Sequence, residues 1–347
     1  MPPTMLGAAL ALFRLAERPI WYDESVSLRL ATVSWERFST RALGGDQSFG
    51  GFYYSLLQAW TTIGEDPFTI RLLSVIFAVA TIPLVYLLAR RMFNGRVAVI
   101  ASALLAINPY FVRYAQEARA YALTLFLVTL ASYLLLRAIE RPGTGRWLGY
   151  WLAAIAAVFA HLFALFVLLV HVALLAQQRH LSRRVAGAMT VGAIAVAPLV
   201  ALVVLGGPER SFIAPITPAR VVRSIHHLAG GFGVWLPVHG VVYTLVAALA
   251  VVRWRPRDPA LFCLAWLLVP IALAALISIG RPILVVRYLI VALPAFMLLV
   301  AIGVDTLRPR WLARSGWSAC WWRCPRMACT GGTWNERPTC HRCRQGR

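Results

Sequence analysis

FTIRLLSVIFAVATIPLVYLLA, residues 68–89, is an apolar run broken by a single charge, Arg71. One bilayer crossing takes roughly 20 predominantly apolar residues, so this stretch reads as a membrane-spanning helix. Similar runs lie on both sides of it. Upstream are Met5–Leu15 and Phe52–Ile63, both too short to cross. Downstream are Val97–Ile107, Ala120–Leu136, Trp147–Ala176, Val185–Leu205, Val238–Val252, Leu261–Ile279 and Tyr288–Val304. Trp147–Ala176 is too long for one upright helix and reads as two, with a turn around Ala160–Leu162 beside His161. Asn108-Pro109 ends the Val97–Ile107 run, because proline lacks a backbone donor and excludes helix from the residue before it. Met5–Leu15 reads as a first transmembrane helix whose upstream half is missing, rather than as a signal peptide.

The composition agrees with this reading. Of 347 residues, 60% are hydrophobic and only 14% charged, against about 25% charged in soluble domains. Such a chain is too apolar for a water-soluble core and too apolar for disorder. The expected fold is all-α: a polytopic transmembrane bundle of about nine to eleven membrane segments.

The 34 basic residues, all arginine, outnumber the 13 acids and give a formal charge of +21. A nucleic-acid partner is one source of such an excess, but the arginines fall in short gaps between apolar runs, as the positive-inside rule expects of cytoplasmic loops. No nucleic-acid partner is expected. The clusters Arg90/Arg91/Arg96, Arg137/Arg141/Arg146, Arg179/Arg183/Arg184, Arg253/Arg255/Arg257 and Arg308/Arg310/Arg314 then mark one side. Asn108–Arg119, the surroundings of His161, Gly206–Pro237 and Gly280–Arg287 mark the other. For Glu17–Gln47 to lie outside as well, Phe52–Ile63 must be re-entrant or lie in the interface. Residues 26–43 mix Val26, Leu28, Leu30, Val33, Phe38 and Leu43 with Arg29, Glu36, Arg37 and Arg41, which suits an amphipathic helix on the membrane surface in an extracytoplasmic first loop.

Three charged groups need a cause beyond topology. Asp23-Glu24 follows Trp21-Tyr22; carboxylates at a membrane boundary are costly unless used or paired, although acids also favour a helix N-terminus. Arg113 and Glu117 fall on one helix face with Tyr121 if 113–121 is helical; they form either a surface salt bridge or part of a cavity lining. Arg281 and Arg287 lie on the side that arginine avoids. They suit a phosphate, whose oxygens match a guanidinium fork, or they snorkel from a helix start. His161 is either a packing residue or a substrate contact.

Taken in order, Trp21-Tyr22-Asp23-Glu24-Ser25, Phe52-Tyr53-Tyr54, Ile70-Arg71-Leu72-Leu73-Ser74, Asn108-Pro109, Tyr114-Ala115-Gln116-Glu117-Ala118-Arg119-Ala120-Tyr121 and Arg287-Tyr288 resemble a GT-C type multi-pass glycosyltransferase. The resemblance is to the bacterial dolichyl-phosphate-mannose mannosyltransferase-like family, near the lipid A aminoarabinose transferases, and covers about Leu10 to Leu307. It implies a sugar donor on a polyprenyl-phosphate carrier, a hydroxyl acceptor on a protein, glycan or lipid, inversion, and a site on the extracytoplasmic face of the plasma or inner membrane. It makes Asp23 the first-loop aspartate that acts as general base or orients the acceptor, and Glu117 the second-loop acid. Glu24, Tyr53, Tyr54, Arg119, Tyr121, His161, Arg287 and Tyr288 are carried over as substrate contacts. Where relatives have His/Lys-Pro-Pro before the tyrosines, this chain has Ser48-Phe49-Gly50-Gly51.

The residue types suit inverting transfer, which needs a carboxylate at the acceptor oxygen and positive charge where the phosphate departs. No metal site or cofactor is indicated, although a divalent cation serves some relatives. No D-x-D, P-loop or H-E-x-x-H motif is found. A transporter or flippase is the rival function, and an inactive gene fragment a second. Residues 1–307 read as one transferase domain. Residues 308–347 hold nine arginines, one acid (Glu336) and five of the six cysteines, and read as a disordered or frameshifted tail. Its Cys340-x-x-Cys343 with His341 is a zinc alternative.

Overall fold

A computed structural model of the chain describes residues 2–33, 51–177, 213–231, 236–254 and 258–307, with scattered positions between 187 and 201. The 308–347 tail, most of Val185–Leu205, and residues 34–43 of the surface helix expected over 26–43 lie outside this set.

Every described element is helical: α1 Pro2–Leu12, α2 Tyr22–Ala31, α3 Gly51–Trp60, α4 Pro67–Met92, α5 Gly95–Ile107, α6 Pro109–Ala115, α7 Tyr121–Glu140, α8 Thr144–Ala160, α9 Ala164–Gln177, α10 Pro218–Leu228, α11 Leu236–Arg253, α12 Asp258–Gly280, a 3-10 turn Val286–Ala292, and α13 Leu293–Thr306. By length and apolarity four segments are able to cross a membrane: Pro67–Met92, Tyr121–Glu140, Asp258–Gly280 and Val286–Thr306. Gly95–Ile107 with Pro109–Ala115 makes a fifth if its 61° bend is counted within one span. Shorter apolar helices, including Pro2–Leu12 and Ala164–Gln177, pack beside them.

Local signals start the helices where the sequence places them. Asp66 caps α4, its Oδ1 accepting from the backbone N–H of Phe68 (3.0 Å) and Thr69 (3.2 Å), with Pro67 at the first helical position. Asn94 caps α5 in the same way. Asn108 ends α5 and caps α6, accepting from Phe111 N–H at 3.0 Å. The residues 147–176 divide at His161, as expected, into α8 and α9.

The two ends of the bundle differ chemically. At one end Arg91 pairs with Glu140 and Arg96 with Asp305 (3.3 Å), joining α4, α5, α7 and α13. These arginines belong to the clusters read as cytoplasmic. The opposite end holds the starts of α4 and α7, the α5–α6 break, the α8–α9 break and the 3-10 turn. The short α3 stays at this second end: Tyr53 Oη meets Ser74 Oγ at 2.8 Å and Trp60 Nε1 donates to Thr69 O at 2.8 Å. That placement suits an interface-lying Phe52–Ile63.

α11 and α13 approach so closely that a Cβ on Gly303 would lie 2.0 Å from the Val246 carbonyl oxygen. A methyl group there must push two backbones apart. Gly303→Ala is expected to cost roughly 1–3 kcal/mol, read as a lower Tm in detergent. Gly95→Ala, with nothing within 4 Å of the added carbon, serves as the neutral comparison. Equal Tm values for the two variants would disprove the close approach.

Candidate active site

The site is organised by a buried ion pair. Arg71 enters the bundle one turn into the apolar α4, at 2% side-chain exposure, and Glu24 on α2 meets it at 1%. The guanidinium is bidentate: Nε donates to Glu24 Oε1 at 2.8 Å and Nη2 to Oε2 at 2.7 Å. Its other hydrogens reach the carbonyls of Leu15 (2.8 Å), Arg18 (2.9 Å) and Pro19 (3.2 Å). Glu24 Oε1 also accepts from Ala118 N–H at 3.0 Å. One ion pair thus fastens the first loop and the 117–119 segment to α4. One turn further along, Ser74 repeats the link, donating to Arg119 O at 3.4 Å while bonded to Tyr53.

Asp23 and Glu24 occupy the first turn of α2, where acids are favoured. The capping position is Trp21, with no side-chain cap. The two carboxylates point to different partners. Asp23 Oδ2 lies 3.0 Å from Arg287 Nη1, with side-chain exposures of 18% and 21%. Arg119 Nη1 donates to the Asp23 carbonyl at 3.3 Å, and its guanidinium lies over the rings of Tyr54 (6.0 Å) and Tyr121 (5.8 Å). The Tyr288 ring lies 4.8 Å from His161, tilted by 57°, and 6.5 Å from Tyr121. His161 is buried, its Nδ1 accepting from Phe163 N–H at 3.3 Å. Asp23, Tyr54, Arg119, Tyr121, His161, Arg287 and Tyr288 therefore form one continuous cluster. Two donors in it lack hydrogen-bond partners among the described residues: Arg287 Nε, and the Tyr121 hydroxyl, which sits beside the Arg119 guanidinium without hydrogen-bond geometry.

The expectation that Arg113, Glu117 and Tyr121 share one helical face needs correction. α6 ends at Ala115 and α7 begins at Tyr121. Residues 116–120 lie between the two helices; the Gln116 backbone N–H still bonds to Val112 O and Arg113 O, while its side-chain nitrogen donates to the carbonyls of Leu10 (3.3 Å), Ala11 (3.1 Å) and Phe13 (2.9 Å), closing the end of α1. Arg113 Nε still meets Glu117 Oε1, at 3.4 Å. Glu117 Oε2 is buried without a hydrogen-bond partner among the described residues. Burial, opposed by Arg113, raises the Glu117 carboxyl to about 7. Glu117 lines a cavity of about 670 Å³ that also includes Arg18, Trp21, Arg113 and Gln116. Arg281 closes the end of α12, its backbone N–H bonded to Ile277 O at 2.9 Å.

Arg71 and Ser74 carry much of this geometry and were not among the sequence-derived site residues. Arg71 had one available signal: a lone charge in an apolar run requires a buried acid. No group of three or more His, Cys, Asp or Glu side chains comes together among the described residues.

Residues 51–204 match the family described as dolichyl-phosphate-mannose-protein mannosyltransferase. The fold is similar to the crystal structure of ArnT from Cupriavidus metallidurans bound to undecaprenyl phosphate, with a TM-score of 0.63, 20% identity and 90% of this chain covered. The apo form of that protein gives 0.58, 18% and 89%. The arabinosyltransferase EmbB from Mycobacterium smegmatis, solved by cryo-EM, gives 0.53, 14% and 88%. The chain spans 61% of the length of the ArnT chain and 30% of EmbB. No curated protein sequence matches. The matched segment is similar to that family, and the fold is similar to that of the ArnT and EmbB structures.

Two measurements check the site. Arg71→Met strands Glu24 as an uncompensated buried charge and is expected to cost roughly 3–5 kcal/mol; Arg71→Lys, which keeps charge but loses the fork, falls between it and the wild type in a detergent melt. A wild-type Tm for Arg71→Met would deny the pair. For Glu117 the folded value of about 7 lies above the ordinary carboxylate range, so the folded state holds the proton longer. Its contribution to stability is complete below the ordinary range and is lost as pH rises through 7. Infrared spectroscopy should show a protonated carboxyl band fading near pH 7 and absent from Glu117→Gln; a band unchanged by that substitution refutes the assignment.

Proposed function

We propose that the chain is an integral-membrane glycosyltransferase that moves a sugar from a polyprenyl-phosphate carrier to a hydroxyl acceptor, with inversion, on the extracytoplasmic face of the plasma or inner membrane. The observation that carries this reading is the convergence of Asp23, Arg119 and Arg287, with Arg287 Nε unpartnered among the described residues. Two guanidinium groups beside one carboxylate suit an anionic leaving group next to a proton acceptor. The undecaprenyl phosphate bound to the ArnT relative is a ligand of that class.

The groups act in sequence. Before donor binds, Asp23 holds Arg287. A carrier phosphate offers the guanidinium more oxygens and more charge, draws it from Asp23, and frees the carboxylate. The acceptor oxygen then attacks the anomeric carbon from the face opposite the phosphate. Its proton passes to Asp23, the bond from the anomeric carbon to the phosphate oxygen breaks, and the electron pair leaves on the phosphate, where Arg119 and Arg287 balance the developing charge. Tyr54 and Tyr121 hold the Arg119 guanidinium between them. Tyr53, bonded to Ser74, braces the backbone of Arg119. A transporter calls for charges at mid-bundle; Asp23, Glu117, Arg119 and Arg287 all lie at one end.

Asp23→Asn keeps the size of the side chain and removes its basicity. Purified protein supplied with radiolabelled polyprenyl-phosphate pentoses and hexoses should lose roughly 10²–10⁴-fold in transfer while retaining its fold in detergent. Wild-type turnover in this variant refutes the reading.

A further inference from the structure

The cavity of about 670 Å³ lined by Trp21 shares no lining residue with the Asp23, Arg119 and Arg287 cluster and has its own chemistry. Its size is that of a small-molecule site. The Glu24–Arg71 pair contributes to its wall but is saturated with internal bonds. Gln116 spends its amide nitrogen on three carbonyls of the α1 end. Three features remain available to a ligand. Glu117 is 7% exposed and carries an oxygen, Oε2, with no hydrogen-bond partner. Trp21, 38% exposed, presents an aromatic face. Arg18 and Arg113 are exposed guanidinium groups at the rim.

We infer that this cavity binds the acceptor as a sugar bearing an acidic group, its ring against Trp21, a hydroxyl donating to Glu117 Oε2, and its carboxylate or phosphate held by Arg18 and Arg113. The features exclude simpler ligands. An apolar molecule would leave Glu117 Oε2 buried and unpaired, a cost that natural structures avoid. A bare anion would leave Trp21 unused. A sugar supplies both, since its hydroxyls donate and its C–H face packs on an indole. With three arginines against two acids in the lining, the cavity favours a ligand of net negative charge. Calling the ligand the acceptor rests on the transfer reading above; the binding site itself does not.

The test uses the full chain in nanodiscs free of glycosidic detergent, applied to a glycan array that includes neutral, uronic-acid-bearing and phosphorylated members. Binding to acidic glycans is expected. Glu117→Gln should weaken it by about tenfold or more, the worth of one hydrogen bond to a charged group; Trp21→Ala, which removes the face the sugar ring packs on, should abolish it, and Trp21→Phe should retain it. Thermal melts report whether each variant is folded, and if Glu117→Gln is not, the Trp21 pair decides. No glycan binding, binding confined to neutral glycans, or acidic-glycan binding that survives Trp21→Ala overturns the inference. Wild-type protein that binds acidic glycans but not undecaprenyl phosphate would sink the donor reading and leave this site standing.

Discussion

An arginine inside an apolar helix must be neutralised, and the way Arg71 is neutralised sets the rest of the site. A bare guanidinium among apolar side chains is costly, and a lone acid opposite it would be equally so. The pair is tolerated because every guanidinium hydrogen and both carboxylate oxygens find partners. Three of those partners are carbonyls of the first loop, and one is the amide of Ala118. The cheapest way to bury Arg71 therefore brings residues 15–24 and 117–119 to one point. Asp23 and Arg119, adjacent to residues held by the ion pair, are placed as a consequence.

The other half of the site depends on a helix that stops. Asn108-Pro109 breaks an otherwise continuous apolar segment by 61°, so that α6 turns across the end of the bundle instead of leaving it. Two contacts keep it there. Asn108 Nδ2 donates to Leu228 O at 3.0 Å, and Gly230, at φ 85°, lies so near Pro109 that an added Cβ would come within 2.6 Å of the ring. Tyr110 Oη donates to Val286 O at 2.7 Å, fixing the residue before Arg287. Rings then continue the link from Tyr110 to Tyr114 (4.7 Å) and on to Tyr121 (5.2 Å). Reactive groups from α2, from 116–120 and from the 3-10 turn are thus carried on braced backbone, as positioning of charge requires.

How much of this could be read from the residues follows from the range of each cause. Apolar runs, the Asn108-Pro109 and His161 breaks, and the arginine clusters are local, and the helices end where they indicate. The ion pairs of Arg91 and Arg96 join the helix ends that the clusters mark. Pairings across many residues are not local. Nothing in the spacing of Glu24 and Arg71, 47 residues apart, announces their contact, although a solitary charge in an apolar run demands some acid. The helical register of Arg113, Glu117 and Tyr121 failed because the chain leaves the helix between Ala115 and Tyr121, where Glu24 and Ser74 take up the backbone of Ala118 and Arg119. A periodicity argument takes no account of bonds made elsewhere.

The two carboxylates that frame the site, Asp23 and Glu117, show why residue type alone does not assign a role. Asp23 faces the Arg287 guanidinium at 3.0 Å. Glu117 has only a long contact to Arg113, and burial raises its carboxyl to about 7. Environments that separate two acids in this way give them different tasks. The first is suited to an exchange of charge with an anion, because its partner is a guanidinium, whose fork also fits phosphate oxygens. The second is suited to a neutral hydroxyl, which supplies the missing hydrogen without bringing a competing charge.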